Sequence, residues 1–167
     1  MSLSRLIFVH LGPFAYQTFD LSGPSALSGA SLSAQAALTQ ALQFLFDPQP
    51  GSALCQQWLR RPEARLAYEI QGEAGPFLLV VLPGESRPVA YLLNSDYDRS
   101  LLVDGKGRVR SAAQLLAEMK QRGLGHSERM SDASIWWQHF EAQQNDPQAR
   151  YRWFPRGYRA ASQRLLG

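Results

Sequence analysis

The chain has 167 residues, of which 45% are hydrophobic and 19% charged, with a formal net charge of +3 and a single cysteine. Such a length fits one domain, 1–167, with a sizeable core, and such a balance belongs to a folded chain rather than a disordered one. The lone Cys55 excludes an intrachain disulfide and a multi-cysteine metal site.

The net charge hides an asymmetry. Through Asp104, six Arg stand against nine Asp or Glu, a balance of −3; from Gly105 on, nine Arg and two Lys stand against five Asp or Glu, a balance of +6. A basic end on an acidic body points to an anionic partner, or to a tail that folds back on its own domain. The N-terminus does not read as a signal peptide: Arg5 precedes only Leu6 to Val9 before His10 interrupts, and no small-residue cleavage site follows. The longest apolar run, Phe77 to Leu82, falls far short of a membrane span. The expectation is a soluble cytoplasmic protein with no membrane contact.

In chain order, Leu6 to Leu11 reads as a buried strand stopped by Gly12-Pro13. Ser22 to Ser33, rich in Gly, Ser, Ala and Pro, reads either as a flexible loop or as an ordered irregular segment over the core. Leu38, Leu42, Leu45 and Phe46 recur at helical spacing among alanines, which predicts a helix over Ser33 to Phe46. A second, shorter helix fits Ser52 to Arg61, with Ser52 as cap, Leu54, Cys55, Trp58 and Leu59 inward, and Pro62 as stop.

The period then changes from helical to alternating. Leu66, Tyr68 and Ile70 alternate with Ala67, Glu69 and Gln71, the pattern of a half-buried strand. After a turn at Gly72 to Gly75, Phe77 to Leu82 is apolar on both faces and reads as a central strand. Val89 to Leu93 and Ser100 to Val103 are read as further strands, and Asp104-Gly105 as a tight turn into Arg108 to Arg110. Strands joined by short turns argue for an antiparallel meander over about residues 66–110.

Helices return with Ser111 and Gln114 as a capping box, Ala112, Leu115, Leu116 and Met119 as the inward stripe, and Gly123 as the stop. Ile135, Trp136, His139 and Phe140 predict a helix over about Asp132 to Gln144, and a last helix starts near Gly157. The class expected is α+β: an antiparallel meander packed against N-terminal and C-terminal helices.

The most specific feature is the basic aromatic arm at 148–167. Its last eighteen residues carry five arginines and no acidic residue, with Arg150, Arg152, Arg156 and Arg159 interleaved with Tyr151, Trp153, Phe154 and Tyr158. Guanidinium groups pair with phosphates or carboxylates, and aromatic faces stack on bases or rings, so such a segment is suited to docking. The partner-binding set expected is Arg150, Tyr151, Arg152, Trp153, Arg156, Tyr158 and Arg159. The competing reading of Trp153 and Phe154 has their rings packing on the core while the arginine stems cover apolar surface.

Catalytic and metal patterns fail at their most specific positions. Asn94, Asp96 and Asp98 alternate like the start of a calcium loop, but Arg99 stands where Gly belongs and Gly105 where the bidentate acid belongs, so a polar turn between strands is preferred. His10, His126 and His139 lack metal spacing, and Cys55 lies in the apolar stripe of its helix, where it is read as inert packing. Gly105 and Gly107 are explained by a hairpin turn. No catalytic residue, cofactor or metal is nominated. The leading expectation is a non-catalytic binding protein, an adaptor or subunit of a larger bacterial assembly with a protein partner. A nucleic-acid-binding accessory protein is the alternative, and a small enzyme the third choice.

Overall fold

The computed structural model describes residues 2–21, 31–46, 49, 51–72, 75–85, 88–93 and 95–124. Five strands, β1 (Ser2–Leu11), β2 (Phe14–Asp20), β3 (Arg65–Gly72), β4 (Gly75–Leu82) and β5 (Val89–Leu93), form one antiparallel sheet in the order β2-β1-β3-β4-β5. One face is covered by α1 (Leu32–Phe46) and a single π-helical turn at Leu54–Trp58, the other by α2 (Arg99–Leu102) and α3 (Ala112–Arg122). The meander holds: β3, β4 and β5 are sequential neighbours, with Phe77 to Leu82 inside β4 and paired on both sides. The middle of the sheet is β3, however, not β4.

Three further expectations about the strands are corrected. A second strand, β2, follows Gly12-Pro13 where no element was expected, so β1 and β2 make a hairpin before the first helix. The strand read at Ser100 to Val103 is instead one helical turn, because the Asp98 side chain caps it by accepting from the Ser100 N–H at 2.9 Å. Only a single bridge, Val103 to Val109, remains of the expected pairing there. Finally, β3 is buried on both faces rather than half-buried: Leu66, Tyr68 and Ile70 join the α1 side, and Ala67 the α2–α3 side, while Arg65 and Glu69 are 3% and 6% exposed.

β1 departs from simple alternation twice, and both departures serve the core under α1. A register shift between Leu3 and Arg5 puts Leu3 on the same face as Leu6 and Phe8. Ile7 and Val9 face the other way, and continued alternation would send Leu11 after them. His10, at a φ of 46°, breaks the alternation and returns Leu11 to the α1 face. The hairpin tip therefore folds over that face, and Phe14 joins Phe8 and Phe19 with ring centroids 5.6 and 6.1 Å away. A left-handed conformation costs a non-glycine residue about 1–2 kcal/mol, a cost glycine escapes while adding unfolded-state entropy. His10→Gly should therefore leave the urea midpoint nearly unchanged, whereas His10→Val should lower stability by about 1–2 kcal/mol.

α1 begins at Ser31, whose Oγ accepts from the Ala34 N–H at 3.2 Å, and buries Ala34, Ala37, Leu38, Ala41, Leu42 and Leu45. The side chain of Phe46, read as part of this stripe, lies outside the described residues. Tyr68 rises from β3 into the α1 layer, fully buried, and its hydroxyl donates to the Ala41 carbonyl at 2.6 Å. The second short helix is reduced to a π-turn, closed by the Leu59 N–H donating to the Leu54 carbonyl at 2.9 Å. Leu54, Cys55 and Leu59 still face inward as expected. On the opposite face, the Ser111–Gln114 capping box is present with both hydrogen bonds, and Gly123 ends α3 in the left-handed region. Of the inward stripe expected on α3, only Leu115 and Met119 are buried; Ala112 and Leu116 are exposed, because this helix meets the sheet along a narrow i, i+4 seam.

Candidate partner-binding surface

The expected docking set, Arg150, Tyr151, Arg152, Trp153, Arg156, Tyr158 and Arg159, lies outside the described residues, as do the helices read over 132–144 and after 157, the loop at 22–30, His126 and His139. What the structure does assemble is a cluster of arginines and tyrosines on the α2–α3 face, near the β1–β2 edge of the sheet. Its residues come from four segments of the chain.

The base of the cluster is Glu69, nearly buried in β3. It accepts from the Ser4 hydroxyl at 2.9 Å and from the backbone N–H of Tyr97, and the Arg5 Nε lies 4.0 Å from its Oε1. Arg5 shares this face with Ile7 and Val9 by strand alternation, and its guanidinium sits over the Tyr97 ring, 5.6 Å from the centroid. Tyr97 packs against the hydrophobic cluster of the α2–α3 face, and its buried hydroxyl has no hydrogen-bond partner among the described residues. Beside this pair, Arg99 on α2 lies over the Tyr16 ring of β2 at 4.4 Å. Burial raises the Tyr16 phenol above its ordinary pKa, and the neighbouring Arg99 and Arg5 guanidinium groups oppose that shift while Asp98 adds to it. The two arginine–tyrosine pairs thus share one electrostatic neighbourhood.

The acids and arginines around this cluster are engaged elsewhere. Asp98 caps α2 through the Ser100 N–H and hydroxyl and receives Arg122 Nη1 at 3.0 Å, which holds its carboxyl below the usual carboxylate range. Arg122 also pairs with Glu118 one turn earlier, with Nε 2.6 Å from Oε1, and Arg110 Nη2 lies 3.6 Å from Glu118 Oε2. Asp104 closes the turn to Arg108 by accepting from the Lys106 and Arg108 N–H groups at 2.9 Å each. The calcium-like run is thereby explained as helix capping: Asp96 accepts from the Ser95 hydroxyl, and Asp98 starts α2. Arg99 stands apart: its guanidinium has no carboxylate and no hydrogen-bond acceptor among the described residues.

Sequence reading did not single out Arg5, Tyr16, Tyr97 or Arg99. One signal was present, an arginine immediately before the apolar run Leu6 to Val9 of β1. The pairing partners are too distant in sequence for periodicity to connect them.

Cys55 is 9% exposed, and burial pushes its thiol up against the opposing hydrogen bond from Ser52. A thiol so placed carries little thiolate at neutral pH and is a poor nucleophile. Labelling of the native protein by a thiol reagent should run far slower than labelling of a free thiol; a rate equal to that of a free thiol would contradict the burial.

Among the described residues, no three His, Cys, Asp or Glu side chains gather into a metal-binding group, and no helix is long and apolar enough to cross a membrane. Compared with models of protein families, with curated proteins and with solved structures, the chain matches none.

Proposed function

We propose that this chain is a non-catalytic binding protein, an adaptor or subunit of a larger assembly, which docks onto a protein partner through Arg150, Tyr151, Arg152, Trp153, Arg156, Tyr158 and Arg159. The observation that carries this reading is the run of arginines and aromatics after Pro147, free of acidic residues. Trp, Tyr and Arg are the side chains that most often anchor protein interfaces, because they combine large contact area with directional hydrogen bonding. Two further observations support it. The polar side chains of the folded body, from Arg65 and Glu69 to Asp98, Asp104 and Ser111, are occupied in holding turns, caps and strand ends. The one thiol is buried, with its pKa raised.

A nucleic-acid partner is the second reading, favoured by the +6 balance from Gly105 onward. Salt separates the two. Phosphate contacts release condensed counterions, so affinity falls steeply with salt whatever the sequence, whereas an interface anchored by Trp and Tyr loses far less. The test is retention of the full chain on immobilised single-stranded oligonucleotide across a salt gradient, run beside affinity capture of protein partners. Capture of one protein in stoichiometric amount, retained at high salt, is the expected result. Tight, salt-sensitive retention on the oligonucleotide with no stoichiometric protein would transfer the reading to nucleic acid.

A further inference from the structure

We propose that the outer edge of β2 is a self-association site, at which a second copy of this chain adds its own β2 antiparallel and joins two five-stranded sheets into one. The inference goes beyond the reading of the chain as a binding module and does not depend on the C-terminal arm.

Of the two sheet edges, β2 is the open one. No strand among the described residues pairs with its outer side. In β5, the other edge, Ala90, Tyr91 and Leu93 are buried and Pro88 stands at the entrance, whereas in the longer β2 only Phe19 is buried. Edge strands are commonly guarded against pairing by proline, lysine, bulges or shortness. β2 runs for seven residues with no proline, no basic side chain and no shift of register against β1.

One hydrogen bond fixes which backbone groups face outward. The Leu21 N–H donates to the Ser4 carbonyl at 2.7 Å, in the register that the rest of β2 keeps with β1. Ladder bonds to one neighbour fall at every second residue of an antiparallel strand, so Phe19 and Gln17 also turn their backbone groups toward β1. Tyr16, Thr18 and Asp20 turn theirs away. The outward Thr18 carbonyl accepts from the exposed Gln17 side-chain amide at 3.2 Å, a bond that a strand N–H would replace.

Self-complementarity selects a second copy as the occupant. Outward residues must meet outward residues, and the register that pairs the whole of β2 with itself is centred on Gln17. It sets Tyr16 opposite Thr18 of the second copy on the α2–α3 face, and Ala15 opposite Phe19 of the second copy on the α1 face. Aromatic and β-branched residues pair favourably across strands. Gln17 meets its own counterpart on the two-fold axis, where each amide both donates and accepts. Asp20, the one charged residue of β2, falls opposite Phe14, so no like charges face each other. Sliding the copies either way shortens the ladder. Such a contact is isologous and closes at two copies.

The test is the mass of the full chain in solution, followed by sedimentation across a concentration series. The wild type should pass from one copy to two as concentration rises. Gln17→Lys and Gln17→Glu each put like charges on the axis. Each should raise the dissociation constant about fivefold or more at low salt, with an unchanged melting temperature in dilute solution. Mixing the two variants should restore the pair, because opposite charges then meet on the axis. Thr18→Pro removes an outward N–H and none that β1 uses, so it should weaken the pair as well. Gln17→Cys should cross-link two copies on air oxidation, since directly facing residues of this kind stand about 4.5 Å apart between Cα atoms, within disulfide reach. The wild type, whose one cysteine is buried, should not cross-link. The inference is overturned if the wild type stays single at every concentration, if Gln17→Lys pairs as tightly as the wild type, if the mixed charge variants do not associate, or if Gln17→Cys forms no cross-link.

Discussion

Replacing Arg65 by alanine is expected to cost about 3–5 kcal/mol of folding stability, a large part of what a domain of this size possesses. Arg65 stands at the start of β3, 3% exposed. Its Nη1 donates to the carbonyls of Pro62 at 2.6 Å and Ala64 at 2.7 Å, and its Nη2 to the carbonyl of Arg110 at 2.7 Å. One guanidinium thus joins the turn before β3 to the residue that leads into α3. Burial lowers the pKa of this group, with Glu63 opposing the shift, so the charge is partly desolvated and relies on those carbonyls. Alanine would strand three acceptors at once, each worth about 1–3 kcal/mol when left unmade in a dry site, with water entry recovering a part. Arg65→Met should cost less, about 1–3 kcal/mol, because it fills the space and removes the desolvated charge along with the bonds. Urea denaturation of the three proteins checks the order; an alanine variant as stable as wild type would show that the clamp holds nothing.

The second large effect is expected at Gly12. Its φ of +57° lies in the left-handed region, and a Cβ built on it would come within 2.9 Å of Trp58 Cδ2 and Cε2. Backbone strain of about 1–2 kcal/mol and overpacking of about 1–3 kcal/mol then act together, so Gly12→Ala should lose about 2–4 kcal/mol. The contact explains why the hairpin tip and the π-turn are tied: the Trp58 indole lies against a residue that has no side chain. A double-mutant cycle separates the two terms. In a Trp58→Ala background the clash is gone, and Gly12→Ala should cost only the strain, about 1–2 kcal/mol. An unchanged cost in the two backgrounds would place the whole effect in the backbone and deny the packing contact.

Residues that act locally were readable from the sequence. Ser111 and Gln114 announce a capping box because each partner is three residues from the other, and Gly12-Pro13 and the alternation from Leu66 announce strand ends and strands by the same short range. The misses share a different cause. β2 went unseen because its inward residues serve two faces, Phe14 and Phe19 on one and Tyr16 on the other, which blurs its period. The run Leu101-Leu102-Val103 is too short to separate one helical turn from a strand, and the Asp98 cap decides it. Glu69 read as an outward position of a half-buried strand, and Arg65 stood before the strand as read. Their burial follows from α2 and α3 closing over that face, which periodicity within β3 does not encode. The same holds for Arg5, Tyr16, Tyr97 and Arg99, whose proximity is a product of sheet order and of the α2 turn that carries Arg99. Composition, by contrast, made the C-terminal segment conspicuous without help from the fold.

The central claim, docking through the terminal arginines and aromatics, is tested most directly by the variant in which Arg150, Arg152, Arg156 and Arg159 are all replaced by Ala. Solvated guanidinium groups add little to folding stability, whereas paired ones at an interface matter. The variant should therefore melt within a degree or two of the wild type, on the order of the small effects of surface substitutions, and yet lose the captured protein partner. Equal binding by the wild type and the variant, for every protein and nucleic acid tested, would contradict the claim.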